Sequence, residues 1–427
     1  MLKELLILVG VVSLFVNLYW LMLYFTFKNH LKKDKRCKGD KLVSILVPAF
    51  NEEKSIKKCL TSLVSLDYSK KLLEIIVIDD ASTDNTFSIA SAFVKKYSFV
   101  KLIRSKKNTG KKGGALNLGL KKIKDESRII VVLDADSFIH KNTLKKMLHF
   151  FDEGYDAVSM RYMPWNRKSI LAKMQVFEYM YSILWRKLLS VMDSMYVTPG
   201  VFSAYSFKAL KDVGFFSEDC FTEDMELALK LQKKKYRIAY SFSTTAYTTV
   251  PVKLRPYVKQ RERWYRGYID SLRRHKDIFF NRGLGSFGNV LMPLNLFSTV
   301  LVIFISSLFF ITFLNTVFNF LNWAYKFYLI NFDLQTYFVG VFDTSLSVIF
   351  QDFVKNFFLN LDLLSFITVF SIFFAGVMLF IVKRTTKEAQ GKDLLLFPIF
   401  LVFYLPLNSV LWLYSLTLEC LGIRRKW

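Results

Sequence analysis

The sequence predicts an α/β domain inserted between membrane-spanning helices, and three observations carry that prediction. Short β-branched runs alternate with helix-like segments from residue 42 to 250, the pattern of an α/β domain. Apolar stretches long enough to cross a bilayer stand before and after this region. The 427 residues are 52% hydrophobic yet carry a formal charge of +25. That balance suits lysines and arginines facing lipid headgroups and anionic substrates. The apolar stretches argue against nucleic acid as the partner of this charge. Cys37, Cys59, Cys220 and Cys420 are scattered, as are His30, His140, His149 and His275, so neither set has disulfide or zinc spacing.

Residues 1–28 are expected to be a transmembrane anchor. The stretch 5–27 is apolar apart from Asn17 and a few hydroxyls, and it lacks the basic start and small-residue cleavage site of a signal peptide. Lys28, Lys32, Lys33, Lys35, Arg36, Lys38 and Lys41 follow, so the positive-inside bias puts the next domain in the cytoplasm. Within residues 42–250, strands are expected at 43–47, 74–78, 100–103 and 129–133. Helices are expected at 55–66, from about 112, and at 207–213.

Chemistry concentrates where these strands end, because ligands of open α/β sheets sit at the carboxyl ends of the strands. The run 129–136 ends in Asp134 and Asp136. At that spacing the two carboxylates either approach one hard divalent cation, whose shell substrate phosphates complete, or cap the next helix. The first strand runs into 48–53 and the second into 79–86, each loop bearing an acid or amide. Asp79 and Asp80 suit acceptor roles towards a uracil or ribose, and Asp84 suits a helix cap. Lys112 at a helix start is placed to meet a diphosphate beside free N–H groups. Residues 110–114 match neither a P-loop nor a dinucleotide fingerprint.

Six stretches in order resemble glycosyltransferase family 2. They are 47–53, 79–84, Lys112 ahead of Ala115-Leu116-Asn117, 134–136, Thr222-Glu223-Asp224, and Gln260-Arg261-Glu262-Arg263-Trp264. The last matches the Gln-x-x-Arg-Trp motif of membrane-embedded poly-N-acetylglucosamine, hyaluronan, chitin and cellulose synthases. The resemblance covers roughly 43–267 and implies a GT-A domain, Rossmann-like, that takes a UDP-sugar donor with Mg²⁺ or Mn²⁺. It places Pro48, Phe50, Glu52 and Asp79 at the uridine, Lys112 and Asp134 at the diphosphate, and Asp134 and Asp136 at the metal. Asp224 becomes the catalytic base, with Glu223, Gln260, Arg263 and Trp264 serving diphosphate or acceptor. Read from the residues alone, Thr222-Glu223-Asp224 is equally a helix N-terminus, with Thr222 as cap and acids in the first turn. The loop 198–204 departs in wording from the usual acceptor loop, although it stands at the expected place.

Residues 170–192 and 254–275 mix aromatic and basic residues as interfacial helices do, and 251–286 is expected to join the domain to the membrane. Residues 287–427 are expected to hold about three spans, at 290–313, 361–382 and 394–418, the last interrupted by Pro398 and Pro406. The stretch 315–360 is expected as an external or interfacial connection. The basic loop 383–387 falls on the cytoplasmic side, whereas Arg424-Arg425-Lys426 lies outside unless the last segment is re-entrant. No further soluble domain is expected after it.

The expected function is an inverting, processive transferase that extends a poly-N-acetylglucosamine-like polysaccharide at the cytoplasmic face of the plasma membrane and passes it across. The alternatives are a single transfer to a membrane lipid and a non-catalytic membrane scaffold. Membrane lipids are expected partners, and partner subunits are not legible.

Overall fold

The computed structural model describes residues 2–28, 37, 41–126, 128–329, 355, 363–386 and 395–423. The expectations for most of the basic linker, for much of 330–362, for 387–394 and for Arg424-Arg425-Lys426 lie outside them.

A seven-stranded sheet organises the catalytic region, in the order β3-β2-β1-β4-β6-β5-β7. Its strands are β1 Val43–Ala49, β2 Leu73–Asp79, β3 Val100–Arg104, β4 Ile129–Val132, β5 Ala157–Pro164, β6 Ser203–Ser206 and β7 Ile238–Thr248. The first four are the expected strands, parallel to one another. Their continuous apolar runs are what a sheet covered on both faces requires. Ile45, Leu46 and Val47 are fully buried, each contributing roughly 1.5–3 kcal/mol. β6 runs antiparallel to β4 and β5, and β7 runs parallel to β5. The carboxyl ends of β1, β2, β4, β5 and β7 therefore share one edge.

Helices α2 Ile56–Val64, α3 Thr86–Lys96, α4 Lys112–Leu120, α5 Thr143–Asp152, α7 Phe207–Asp212 and α8 Glu223–Lys233 connect the strands. Beyond them stand α1 Leu2–Phe27, α6 Ile170–Val191, α9 Leu254–Arg274, α10 Met292–Leu329, α11 Leu363–Thr386 and α12 Leu405–Cys420. Among the described residues, Gly10–Phe27, Phe287–Phe304 and Phe397–Cys420 are apolar and long enough to cross a bilayer. The carboxyl ends of α1 and α11 pack on α6 through Tyr19, Trp20, Met378, Ile381 and Val382, within the core of the catalytic region.

One expectation needs correction. Helix α10 does not stop near 313 but continues over 38 residues, about 57 Å at 1.5 Å per residue. Its first 20 or so residues already match the roughly 30 Å hydrocarbon core, and 315–329, which holds no Pro or Gly, continues the same helix. The last apolar segment is interrupted as expected. A short helix at Phe397–Ile399 passes into a wide π turn at Phe400–Tyr404 before α12, where Pro406 lacks the N–H a regular turn would use. This segment follows α9 along its length. The hydroxyls of Tyr257 and Tyr265 donate to Asn408, Tyr265 stacks on Trp412 at 4.1 Å, and Arg266 meets Glu419 at 2.6 Å.

Candidate active site

The loops after β1 and β2 are laced to each other. Asn51 adopts a left-handed φ of 55°, which asparagine tolerates, and its side-chain oxygen accepts from Thr83 N at 2.9 Å. The amides of Asn51, Glu52 and Glu53 donate to Ser82, Thr86 and Asp84 at 3.0, 2.7 and 3.1 Å. Asp84 also accepts from Thr86 N at 3.0 Å, from one residue before the N-cap position, which Asn85 holds. Pro48 lies within β1 and Phe50 stands exposed beside it. Asp79 is fully buried, its Oδ1 accepting from Ser82 N at 3.3 Å and its Oδ2 3.1 Å from Arg104 Nε without an aligned hydrogen bond. Asp80 accepts from Thr109 N at 3.0 Å and Thr109 Oγ1 at 2.7 Å, so it holds the loop that leads to Lys112.

Asp134 and Asp136 extend from the end of β4, both half-buried. Asp136 Oδ1 accepts from Ser137 Oγ at 2.9 Å and from Thr248 Oγ1 at 3.3 Å. Burial first, then the charge of Asp134, pushes the Asp136 carboxyl up to about 7 against those hydrogen bonds. Burial also raises Glu52, opposed by Ser55 and reinforced by Asp134. Lys112 pairs with Asp134 and, at 3.2 Å, with Glu223. Burial works against the ammonium, but the two carboxylates outweigh it and hold its pKa above the ordinary lysine value. A Cβ on Gly200 would displace Lys112 Nζ and lie 3.4 Å from Asp134 Oδ1, so the loop 198–204 reaches this centre.

Helix α8 brings Glu223 and Asp224 to the same place. Asp224 Oδ1 accepts from Met225 N at 2.8 Å, and its carbonyl accepts from Thr198 Oγ1 at 3.0 Å. Burial and the neighbouring Glu223 push its carboxyl up to about 6, against the pull of Lys112. The expected cap by Thr222 does not form. Thr222 occupies the N-cap position, but its hydroxyl turns to Ser271 of α9 at 3.2 Å. Close approach is the reason, because a Cβ on Gly267 of α9 would collide with the Thr222 side chain.

The residues expected on α9 separate. Arg263 is exposed, Trp264 is half-buried against the core, and Gln260 keeps a buried Oε1 with no partner. The buried residue of the motif is Arg261, 1% exposed and bidentate to Glu178 of α6 at 2.7 and 2.7 Å. Tyr404 donates to the same carboxylate, and the guanidinium lies 4.4 Å from the Trp264 ring centre. Sequence reasoning missed Glu178, Arg261, Gly200, Gly267 and Thr248. Of these, Arg261 lay inside the Gln-x-x-Arg-Trp stretch and Gly200 inside the loop 198–204 singled out by sequence, in both cases without a role of its own.

No group of three or more His, Cys, Asp or Glu side chains among the described residues makes a closed metal cage. Two carboxylates at one strand end, with an ammonium resting between Asp134 and Glu223, fit instead an open site for Mg²⁺ or Mn²⁺. There the protein would supply part of an oxygen shell and phosphate the rest.

This mixed sheet, with paired aspartates at the end of its central strand, is a GT-A fold. Residues 44–214 match the family model Glycosyl transferase family 2, and that domain belongs to the family. The chain is 32% identical over 275 residues to a poly-β-1,6-N-acetyl-D-glucosamine synthase of Staphylococcus epidermidis, a match spanning 61% of this chain and 65% of the relative. It is 30% identical over 271 residues to the synthase of the same name from Staphylococcus aureus strain COL, spanning 61% and 64%. The chain thus spans just under two thirds of these relatives. The mannosyltransferase PcManGT of Pyrobaculum calidifontis, solved with GDP-Man and Mn²⁺, shares the fold at a TM-score of 0.51 and 23% identity, over 63% of this chain and 75% of that one.

Proposed function

We propose that this protein is an inverting, membrane-embedded glycosyltransferase that moves a sugar from a UDP-sugar to a growing polysaccharide of the poly-N-acetylglucosamine kind and passes it across the membrane. The observation that carries the reading is the convergence of Asp134, Lys112, Glu223 and Asp224, from three separate elements, at the edge where β1, β2 and β4 end. Relatives named as synthases of that polymer support the choice of donor and product.

Each residue then has a task. Lys112 holds the donor diphosphate and opposes the charge that grows on the leaving UDP. Asp134 and Asp136 hold the metal, which when bound adds Lewis-acid stabilisation of the same charge. Asp224 takes the proton from the acceptor hydroxyl as it attacks the anomeric carbon, so one displacement inverts that centre. Arg263 and Trp264 serve the diphosphate and the acceptor sugar from α9.

The same reading sets the topology. α9 is too basic to enter hydrocarbon, and the segment ending in α12 lies along it, with Glu419 bonded to both Arg266 and Arg273. Apolar and long enough to cross a bilayer, that segment is the last span or is re-entrant, and α1, α10 and α11 precede it as spans. The carboxyl end of α11, with Lys383 and Arg384 in its last turn, then faces the cytoplasm, in accord with the positive-inside bias.

The test is to incubate the purified protein with a panel of UDP-sugars and Mg²⁺ or Mn²⁺ and to size the products. Long polymer from one UDP-sugar is expected, even when donor is scarce relative to acceptor. Trp264→Ala should shorten it several-fold and Trp264→Phe less, since an aromatic face against a sugar contributes about 1 kcal/mol and about 1.4 kcal/mol is tenfold. A single sugar added to lipid at every donor ratio would replace this reading with lipid glycosylation. No transfer from any donor would leave the scaffold reading.

A further inference from the structure

Strands β5 and β7 pair in register from Ala157–Ile238 to Met160–Ser241, and pairing resumes at Arg161–Thr245. Residues 242–244 are thus extra on β7, a bulge of the kind that re-aims side chains near functional sites. Between this bulge and the start of α5 lies a cavity of about 300 Å³. Its walls include His140, Lys146 and Arg161 together with Thr143, Thr244 and Thr245, and no carboxylate lines it. Arg161 is oriented there by its Nε, which donates to Thr245 Oγ1 at 2.6 Å.

Two further features give the cavity a chemistry. Helix α5 has 10 residues, and Asn142 at its N-cap makes no side-chain bond to the first turn, so the positive end of the helix dipole faces this wall. Thr143 is fully buried and Thr244 is 8% exposed, yet neither hydroxyl oxygen has a hydrogen-bond partner. A buried, unsatisfied hydroxyl costs about 1–3 kcal/mol, and two of them in one cationic wall are donors matched to an anion with several oxygens.

We propose that this cavity is a binding site for a phosphoryl group, separate from the donor site. It lies on the strand that supports Asp136. Phe138 and Tyr247 exchange backbone hydrogen bonds at 2.9 and 2.9 Å, Tyr247 lines the cavity, and the next residue, Thr248, donates to Asp136. An anion held here braces the carboxylate pair from behind.

The test is binding, so it stands apart from the proposed transfer activity. Full-length protein in detergent, with UDP saturating the donor site, is dialysed against radiolabelled inorganic phosphate. A parallel arm compares its melting temperature in nanodiscs of phosphatidylglycerol and of phosphatidylcholine. Saturable phosphate binding, weakened at least tenfold in Arg161→Met/Lys146→Met, is expected for a soluble phosphorylated ligand. Stabilisation by phosphatidylglycerol alone, lost in that variant, assigns the site to a lipid headgroup. Thr143→Val/Thr244→Val guards against misfolding, because removing unsatisfied hydroxyls should leave the ligand-free protein as stable or more so while weakening binding at least tenfold. Absence of binding in both arms, or binding unchanged in both variants, overturns the proposal.

Discussion

At the strand ends, Asn51, Glu52 and Glu53 meet Ser82, Thr86 and Asp84 across two adjacent loops, and Asp134 meets the lysine that opens α4. On α9 the buried Arg261 finds Glu178 83 residues earlier and Tyr404 143 residues later. The strand-end half of the site, proposed above as the donor half, is therefore assembled from loops that parallel strands deliver side by side. The α9 half depends on whether helices from distant parts of the chain dock together. Damage to the first should remove chemistry and spare the fold, whereas damage to the second should loosen the protein or misalign it.

The largest effect is expected at the carboxylate pair. Asp134→Asn or Asp136→Asn should reduce transfer to background in a radiolabelled UDP-sugar assay while melting temperature changes little, and chelator should mimic the loss in wild type. Activity of either variant in chelator would remove the metal from the donor half.

Next comes Arg261→Met. Removing the buried partner of this bidentate pair leaves Glu178, 31% exposed and still bonded to Tyr404, without its cation and should cost about 1.5–3 kcal/mol, read as a lower denaturation midpoint in detergent. Arg261→Met/Glu178→Met should recover much of it. A variant as stable as wild type would show that α6 and α9 are held by something else.

Asp224→Asn should lower turnover about 10²-fold, roughly 2.7 kcal/mol, with UDP affinity unchanged. Because a base works only when deprotonated and burial pushes this carboxyl up to about 6, wild-type rates should climb as pH rises through about 6. A pH profile flat from 5 to 8 would move the base elsewhere.

The smallest effect tests the joint between the halves. Gly267→Ala pushes α9 away from Thr222, two residues before Asp224, and should slow transfer about tenfold through misplacement without altering UDP binding. Thr222→Ala removes the colliding atoms, so the double variant should recover most of the rate lost by Gly267→Ala. Equal rates for the single and double variants would mean this contact does not set the alignment.

The sequence by itself determined the catalytic fold class, the four parallel strands and the loops that end them. Buried parallel strands need continuous apolar runs, and catalytic carboxylates need fixed places beyond those runs, so both leave a local record in Ile129-Ile130-Val131-Val132 and Asp134-Ala135-Asp136. It also placed the amphipathic character of 254–275, because helical periodicity is local as well. Tertiary structure alone decided the rest. β6 is four residues long and antiparallel, too short for a readable alternation. Thr222 left its capping role because Gly267 permits an approach that only the docked α9 provides. Arg261, one more charge in a basic helix by sequence, became the buried anchor of three helices because Glu178 and Tyr404 converge on it. Ion pairs of this kind are set by distances between elements, and neither partner's neighbours in the chain specify them.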